Sequence, residues 1–252
     1  MILFGETGVG KSSVINLMAG RDVAPTSANL EGCTLHATQY SFTLSDSKTL
    51  LRIFDTVGLE ESDMGVNTFI GAIEKAQELV MSLYKAGGID LLLFCVKAGR
   101  HTAAMQRNYR LFSEILCNNR VPVALVITHL ENEDVMEDWW DRNEKTFKKY
   151  GVSSVAHACV TTLPAHVTLY AEKRDQSQKA LQKLFRHALS SHNPSYIQDM
   201  RDWLTTFIEK LRALFTGRML FRKKEIVKRL EARCALPRSE AQKLAEIIIA
   251  KG

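Results

Sequence analysis

The stretch Met1-Ile2-Leu3-Phe4-Gly5-Glu6-Thr7-Gly8-Val9-Gly10-Lys11-Ser12-Ser13 decides the fold. Gly5 to Ser12 fit the pattern G-x-x-x-x-G-K-[ST], with an apolar run before them and a helical pattern, Lys11–Ala19, after them. The glycines let the backbone curl until successive N–H groups, from Gly5 through Glu6, Thr7, Gly8, Val9 and Gly10 to Lys11, Ser12 and Ser13, point at phosphate oxygens. The helix that follows turns its positive end to the same anions. In this arrangement Lys11 is a point charge for the β- and γ-phosphates, and the Ser12 hydroxyl is a ligand for Mg2+.

Working outward, Leu50-Leu51-Arg52-Ile53-Phe54-Asp55 is an apolar strand ending on a carboxylate, and Gly58 follows three residues later. A carboxylate there holds the magnesium through water, and the Gly58 N–H reaches the γ-phosphate. A threonine must close over the metal between these two segments. Thr34, in Glu31-Gly32-Cys33-Thr34, is the choice for it, with Thr26 and Thr38 as rivals. Selecting guanine over adenine needs a carboxylate that accepts two hydrogen bonds from the base edge, because adenine would leave it unpaired. After the fifth apolar run the sequence reads Thr128-His129-Leu130-Glu131: a hydroxyl, a flat side chain to cover the ring, a spacer and the carboxylate. The usual Asn-Lys-x-Asp is absent. Cys159, in Ala158-Cys159-Val160-Thr161-Thr162, marks the place from which a backbone N–H reaches the guanine oxygen. GTP or GDP with Mg2+ is the ligand expected.

Short apolar runs alternate with longer helical patterns along the chain. Strands are expected over Met1–Phe4, Leu35–Leu44, Thr49–Phe54, Ile89–Val96, Val121–Ile127 and Ser154–Val160. Helices are expected over Lys11–Ala19, Thr68–Lys85, Met105–Leu116, Val135–Lys149 and Ser177–Ser190. Such alternation implies crossover units and a six-stranded, mostly parallel sheet with helices on both faces, the second and third strands forming a hairpin. Of the adjacent Trp139 and Trp140, one is expected to pack inward from its helix.

Pro194 marks a joint between a nucleotide-binding domain, 1–192, and a helical extension, 197–252. Amphipathic spacing runs over Ile197–Thr216, and further helices are expected over Phe221–Cys234 and from Ser239 to Ala250. From Ile197 to Gly252 there are 13 Lys and Arg against 7 Asp and Glu, so the whole net charge of +5 lies in this extension. Mixed charge of this kind is a solvated helix face or a contact for an acidic protein, membrane headgroups or RNA. DNA is not an expected partner. Five scattered cysteines without a C-x-x-C pair argue against a zinc site or a disulfide scaffold and fit a reducing, cytoplasmic setting. No apolar run reaches the roughly 20 residues of a membrane span. No signal peptide is evident, and the first strand reads as clipped at its start.

Gly5-Glu6-Thr7-Gly8-Val9-Gly10-Lys11-Ser12-Ser13-Val14-Ile15-Asn16, the Thr128-His129 pair and Gly99-Arg100-His101-Thr102 resemble the septin-like branch of P-loop GTPases, and most of all its AIG1-type, immunity-associated members. The resemblance spans about Met1 to Ser190. It implies the Ras-like P-loop GTPase fold, with segments around Thr34 and Gly58 ordered by the γ-phosphate. It also implies dimerisation across the nucleotide face, with a cation supplied in trans. Arg100 is the candidate for that cation, and His101 the second. Leu59 stands where Ras-type enzymes place a water-orienting glutamine, so hydrolysis by a monomer is expected to be slow, with Glu60 and Glu61 as alternative water positioners. Two rival functions share Lys11, Ser12 and Asp55: a P-loop ATPase or kinase, and a nucleotide-bound scaffold that hydrolyses nothing.

Overall fold

The structure is a computed structural model, and it describes residues 1–25, 38–43, 50–56, 79, 82–83, 87–164, 166–190, 223–234 and 238–249. Thr26, Thr34, Gly58, Leu59, Glu60 and Glu61 lie outside the described residues, as do the segment Ile197–Thr216 and nearly all of Thr68–Lys85. The chain divides into two compact units, Met1–Glu60 with Ile89–Tyr196, and Glu61–Gly88 with Ile197–Gly252.

The first unit is built on a six-stranded sheet. Its strands are β1 (Ile2–Phe4), β2 (Thr38–Thr43), β3 (Leu50–Asp55), β4 (Leu92–Lys97), β5 (Val123–Thr128) and β6 (Ala156–Cys159). Their order across the sheet is β2-β3-β1-β4-β5-β6. β2 and β3 form the expected antiparallel hairpin, in register from Thr38 opposite Asp55 to Thr43 opposite Leu50, and the remaining pairs are parallel. β1, β4 and β5 are buried along nearly their whole length, as strands covered on both faces must be. β2 is exposed at alternate positions around Phe42 and takes the edge.

Helix α1 (Lys11–Ala19) follows the phosphate loop. After β4 comes α2 (Ala103–Tyr109), which continues without a break into a π-helical stretch, Arg110–Leu116. The wider turn keeps Leu111, Phe112, Ile115 and Leu116 facing the sheet. Phe112 stacks on Phe4 at 4.4 Å, and Phe4 on Phe94 at 4.6 Å, an aromatic column through the middle of the core. Helix α3 (Glu137–Lys149) buries Trp140 on His157 of β6 at 4.3 Å, while Trp139 is half-buried, so one of the pair packs inward as expected. Helix α4 (Ala171–Ser190) closes the unit with Leu181, Leu184, Phe185 and Ala188 in the core.

In the second unit, α5 (Lys223–Cys234) and α6 (Arg238–Ile249) pack on each other, with Ile226, Leu230, Ala241, Leu244, Ala245 and Ile248 buried. Lys223 and Glu246 pair across the two helices at 2.7 Å. Among the described residues no helix is long and apolar enough to cross a membrane, and Cys95, Cys117 and Cys159 are buried in the interior.

Candidate functional site

The phosphate loop sits where β1 hands the chain to α1. Gly10 is the N-cap at φ 91°, with no side-chain bond to the first-turn N–H groups and no acidic residue in that turn. Those donors are therefore left for an anion. Lys11 is 7% exposed, and its ammonium donates to the carbonyls of Gly5 at 2.6 Å and Glu6 at 3.1 Å. A turn from the Val9 N–H to the Glu6 carbonyl (3.3 Å) shapes the loop between them. Thr7 and Gly8 stand exposed at its crest, and Ser12 and Ser13 are half-buried at the start of α1.

Asp55 ends β3 beside Leu3, the strand neighbour of the phosphate loop. Its carboxyl is 3% exposed, and Oδ1 has no hydrogen-bond partner among the described residues. Burial pushes its pKa above the ordinary carboxylate range, and the charge of Lys11 opposes that shift. A buried carboxylate oxygen without a partner is the kind of oxygen ligand that a hard divalent cation takes. The residues present fit Mg2+, which Asp55 and the Ser12 hydroxyl would hold.

On the other side of the loop, Thr128 ties the segment after β5 to it. Its hydroxyl is fully buried and donates to the Val9 carbonyl at 2.7 Å, with Val96 O at 3.3 Å. His129 Nδ1 lies 3.0 Å from the same oxygen. His129 takes a left-handed conformation, φ 63°, one that a non-glycine residue seldom adopts and that marks functional turns. The ring comes close to the loop: a Cβ on Gly10 would meet Thr162 Oγ1 at 3.2 Å, His129 Cε1 at 3.8 Å and Thr128 Cγ2 at 3.9 Å. The Glu131 carboxylate accepts a hydrogen bond from the Thr161 hydroxyl at 3.2 Å. Helix α4 braces both halves of this segment. Lys173 donates to the carbonyls of Glu131 (2.8 Å) and Glu133, Arg174 to that of Leu163 (3.0 Å), and the Ser177 hydroxyl accepts the Thr161 N–H at 3.0 Å.

The same bracing bears on the stretch that contains Cys159. Its side chain is buried in β6 and its strand partner is Ile127. The N–H groups of Val160 and Thr161 are taken by Ile127 O and Ser177 Oγ. The next along the chain is Thr162, whose hydroxyl is the group beside Gly10. Thr161, Thr162, Lys173 and Ser177 are missed by motif spacing. Thr161 and Thr162 lie in the stretch that position singles out, but Lys173 and Ser177 belong to a polar helix face that carries no motif. Arg100 is exposed in the loop after β4 and lines a cleft of about 170 Å³ with Glu6, Val9, Lys97, Gly99 and Thr102.

Burial lowers the pKa of His129, with Lys97 adding to the effect and Glu131 opposing it. His101, whose Nε2 is buried without a partner among the described residues, is lowered by burial too, with Glu6 opposing. The unfolded imidazoles take protons near 6.5, the folded ones only at lower pH. Within that window the unfolded chain binds more protons, so stability rises with pH and falls as pH drops below about 6.5. Thermal melts from pH 7 to pH 5 are expected to show a falling Tm, with a shallower fall in the His101→Asn, His129→Asn double variant. An equal slope in the variant would remove these two rings as the cause.

Residues 1–129 match the 50S ribosome-binding GTPase family. GTPase Der of Campylobacter jejuni (strain RM1221) is 29% identical over 162 residues, which is 64% of this chain and 31% of that protein. The chain thus spans about a third of the length of the curated relatives it first matches. A chloroplast translocase 34 homolog of Chlamydomonas reinhardtii is 32% identical over 101 residues, 38% of this chain and 24% of that protein. Among solved structures, Era in complex with MgGDPNP and nucleotides 1506–1542 of 16S ribosomal RNA superposes with a TM-score of 0.52 at 16% identity, over 86% of this chain and 67% of that one. That likeness shows the Ras-like P-loop fold. With the phosphate loop, the buried aspartate at the end of β3 and a family match over half its length, this chain belongs to the 50S ribosome-binding GTPase family.

Proposed function

We propose that residues 1–192 bind GTP and GDP with Mg2+, hydrolyse GTP slowly, and use the difference between the two states as a switch. The observation that carries this reading is the joint between Thr128, Val9, Glu131 and Thr161. It supports the reading because Thr128 bonds the phosphate loop and Thr161 holds the Glu131 carboxylate, the group that reading a guanine edge requires. An ATPase or kinase would share the loop but would give Glu131 and its α4 braces no base to read.

In this scheme Lys11 neutralises the β- and γ-phosphates, Asp55 and Ser12 hold the magnesium, the Glu131 carboxylate accepts from the base, His129 covers the ring and the Thr162 N–H donates to the guanine oxygen. The metal's contribution is to offset the charge that develops on the transferring phosphoryl group. Binding of fluorescent GDP, GTP and ATP analogues to wild type and Glu131→Ala tests the reading. Wild type is expected to favour guanine, and the variant to lose on the order of 100-fold in selectivity, the scale of a charged acceptor left unmade. ATP binding as tight as GTP binding in wild type would refute it.

At finer grain, the chain belongs with the septin-like, AIG1-type GTPases and pairs with a second copy across the nucleotide face. The supports are the motifs Gly5–Asn16 and Gly99–Thr102 and the 32% identity to the chloroplast translocase 34 homolog. Arg100, exposed beside the phosphate loop, then offsets transition-state charge in the partner copy. Turnover per molecule should climb with protein concentration and lose that dependence in Arg100→Ala. A turnover independent of concentration in wild type would leave Arg100 a surface residue.

A further inference from the structure

The segment Gly99–Thr102 touches the phosphate loop at one point that the nucleotide scheme leaves unused. Thr102 is the N-cap of α2, and its Oγ1 accepts the Met105 N–H at 2.9 Å. The hydroxyl's one proton goes to Glu6 Oε1, with which it forms a hydrogen bond. Glu6 is the second residue of the phosphate loop, and its carbonyl does two further things. It closes the turn on the Val9 N–H, and it accepts the Lys11 ammonium at 3.1 Å. The residue whose main chain seats Lys11 is thus held by its side chain from outside the loop. The holder is itself anchored. His101 stacks on Tyr150 at 3.7 Å with the rings 13° apart, and Gln106 Nε2 donates to the Tyr150 carbonyl at 3.2 Å. A chain of contacts therefore runs from Tyr150, at the end of α3, through His101, Thr102 and Glu6 to Lys11.

We propose that Thr102 is a positioning residue for the phosphate loop: through Glu6 it holds the loop in the curl that seats Lys11 for the β-phosphate, braced on Tyr150 by His101. The inference rests on the nucleotide-binding reading and adds to it a residue from the loop after β4. The loop glycines make the curl possible, but they do not hold it there. Without a tie the loop samples open forms, and phosphate affinity falls by the fraction of time spent in them.

Glu6→Ala removes the tie and leaves the α2 cap intact. Thr102→Val removes both, and Thr102→Ser keeps both. The measurement is equilibrium binding of GDP and GMP to the whole chain, with thermal melts to confirm folding. GDP affinity is expected to fall roughly tenfold in Glu6→Ala and Thr102→Val, the size of one charge-assisted hydrogen bond. GMP, which lacks the β-phosphate, should bind as before. The double variant should bind GDP no more weakly than Glu6→Ala, and Thr102→Ser should restore wild-type affinity. Unchanged GDP affinity in Glu6→Ala, equal losses for GDP and GMP, or additive losses in the double variant would each overturn the proposal. A wild type that binds ADP and not GDP would instead sink the guanine reading. The tie would then be judged by the same losses on ADP against AMP.

Discussion

Lys11→Ala is expected to weaken GDP and GTP binding by at least about 100-fold, since it deletes a charge-assisted contact of roughly 3 kcal/mol to the phosphates. The geometry makes the loss hard to recover. Lys11 is buried, and its ammonium is already aimed by Gly5 O and Glu6 O. Lys11→Arg should not rescue the binding, because the larger planar guanidinium does not fit a buried seat that holds a compact ammonium 2.6 and 3.1 Å from two carbonyls. The fold should survive with a Tm a few degrees lower, the cost of two carbonyls losing a donor. Titration with fluorescent GDP, alongside a melt, checks both halves. Near-wild-type affinity in the alanine variant would mean that phosphate charge is met elsewhere.

Gly5→Ala is expected to act on the fold itself. A Cβ there would stand 2.1 Å from the Cys95 carbonyl oxygen and 3.1 Å from its carbon. Gly5 also sits at φ 147°, where an L side chain is strained in any space. Cys95 belongs to β4, bonded on both sides to β1 and β5, so its carbonyl cannot retreat without breaking a central ladder. A loss of about 3 kcal/mol or more follows, or a drop in Tm of about 10 °C or more for a domain of this size. Gly8 is the control. Its Cβ would meet nothing within 4 Å, so Gly8→Ala carries only the cost of φ 81°, about 1 kcal/mol. Equal melts for the two variants would show that the contact at Cys95 is relieved by some movement of the loop.

The phosphate loop and α1 were legible because several signals coincide there: glycines that only one curl uses, a lysine with one role, and an apolar run feeding them. Strands were placed to within a few residues. Ile89 and Leu91 are as apolar as the β4 residues they lead into, so composition cannot mark where pairing starts. The π-helical turn at Arg110–Leu116 was not legible, because a pattern of apolar residues three and four apart serves both helix types. Helix α4 begins at Ala171, six residues before Ser177, since its first turns, with Glu172, Lys173, Arg174 and Asp175, bury little and leave no periodic trace. Yet that first turn supplies Lys173 and Arg174 to the base segment. A motif names side chains by their spacing; the groups behind them, such as Lys173 and Ser177, are fixed by three-dimensional neighbourhood.

The Thr128 hydroxyl has one proton, and the Val9 carbonyl at 2.7 Å takes it. Toward His129 Nδ1, 3.0 Å away, Thr128 then offers a lone pair, which favours the neutral tautomer with its hydrogen on Nδ1. The tautomer of His129 is therefore set by a threonine whose first duty is to the phosphate loop, and Nε2 is left bare as an acceptor. A lysine at this position would bring donors alone; in the proposed scheme this histidine would offer the nucleotide an acceptor nitrogen, a difference in kind as well as in shape.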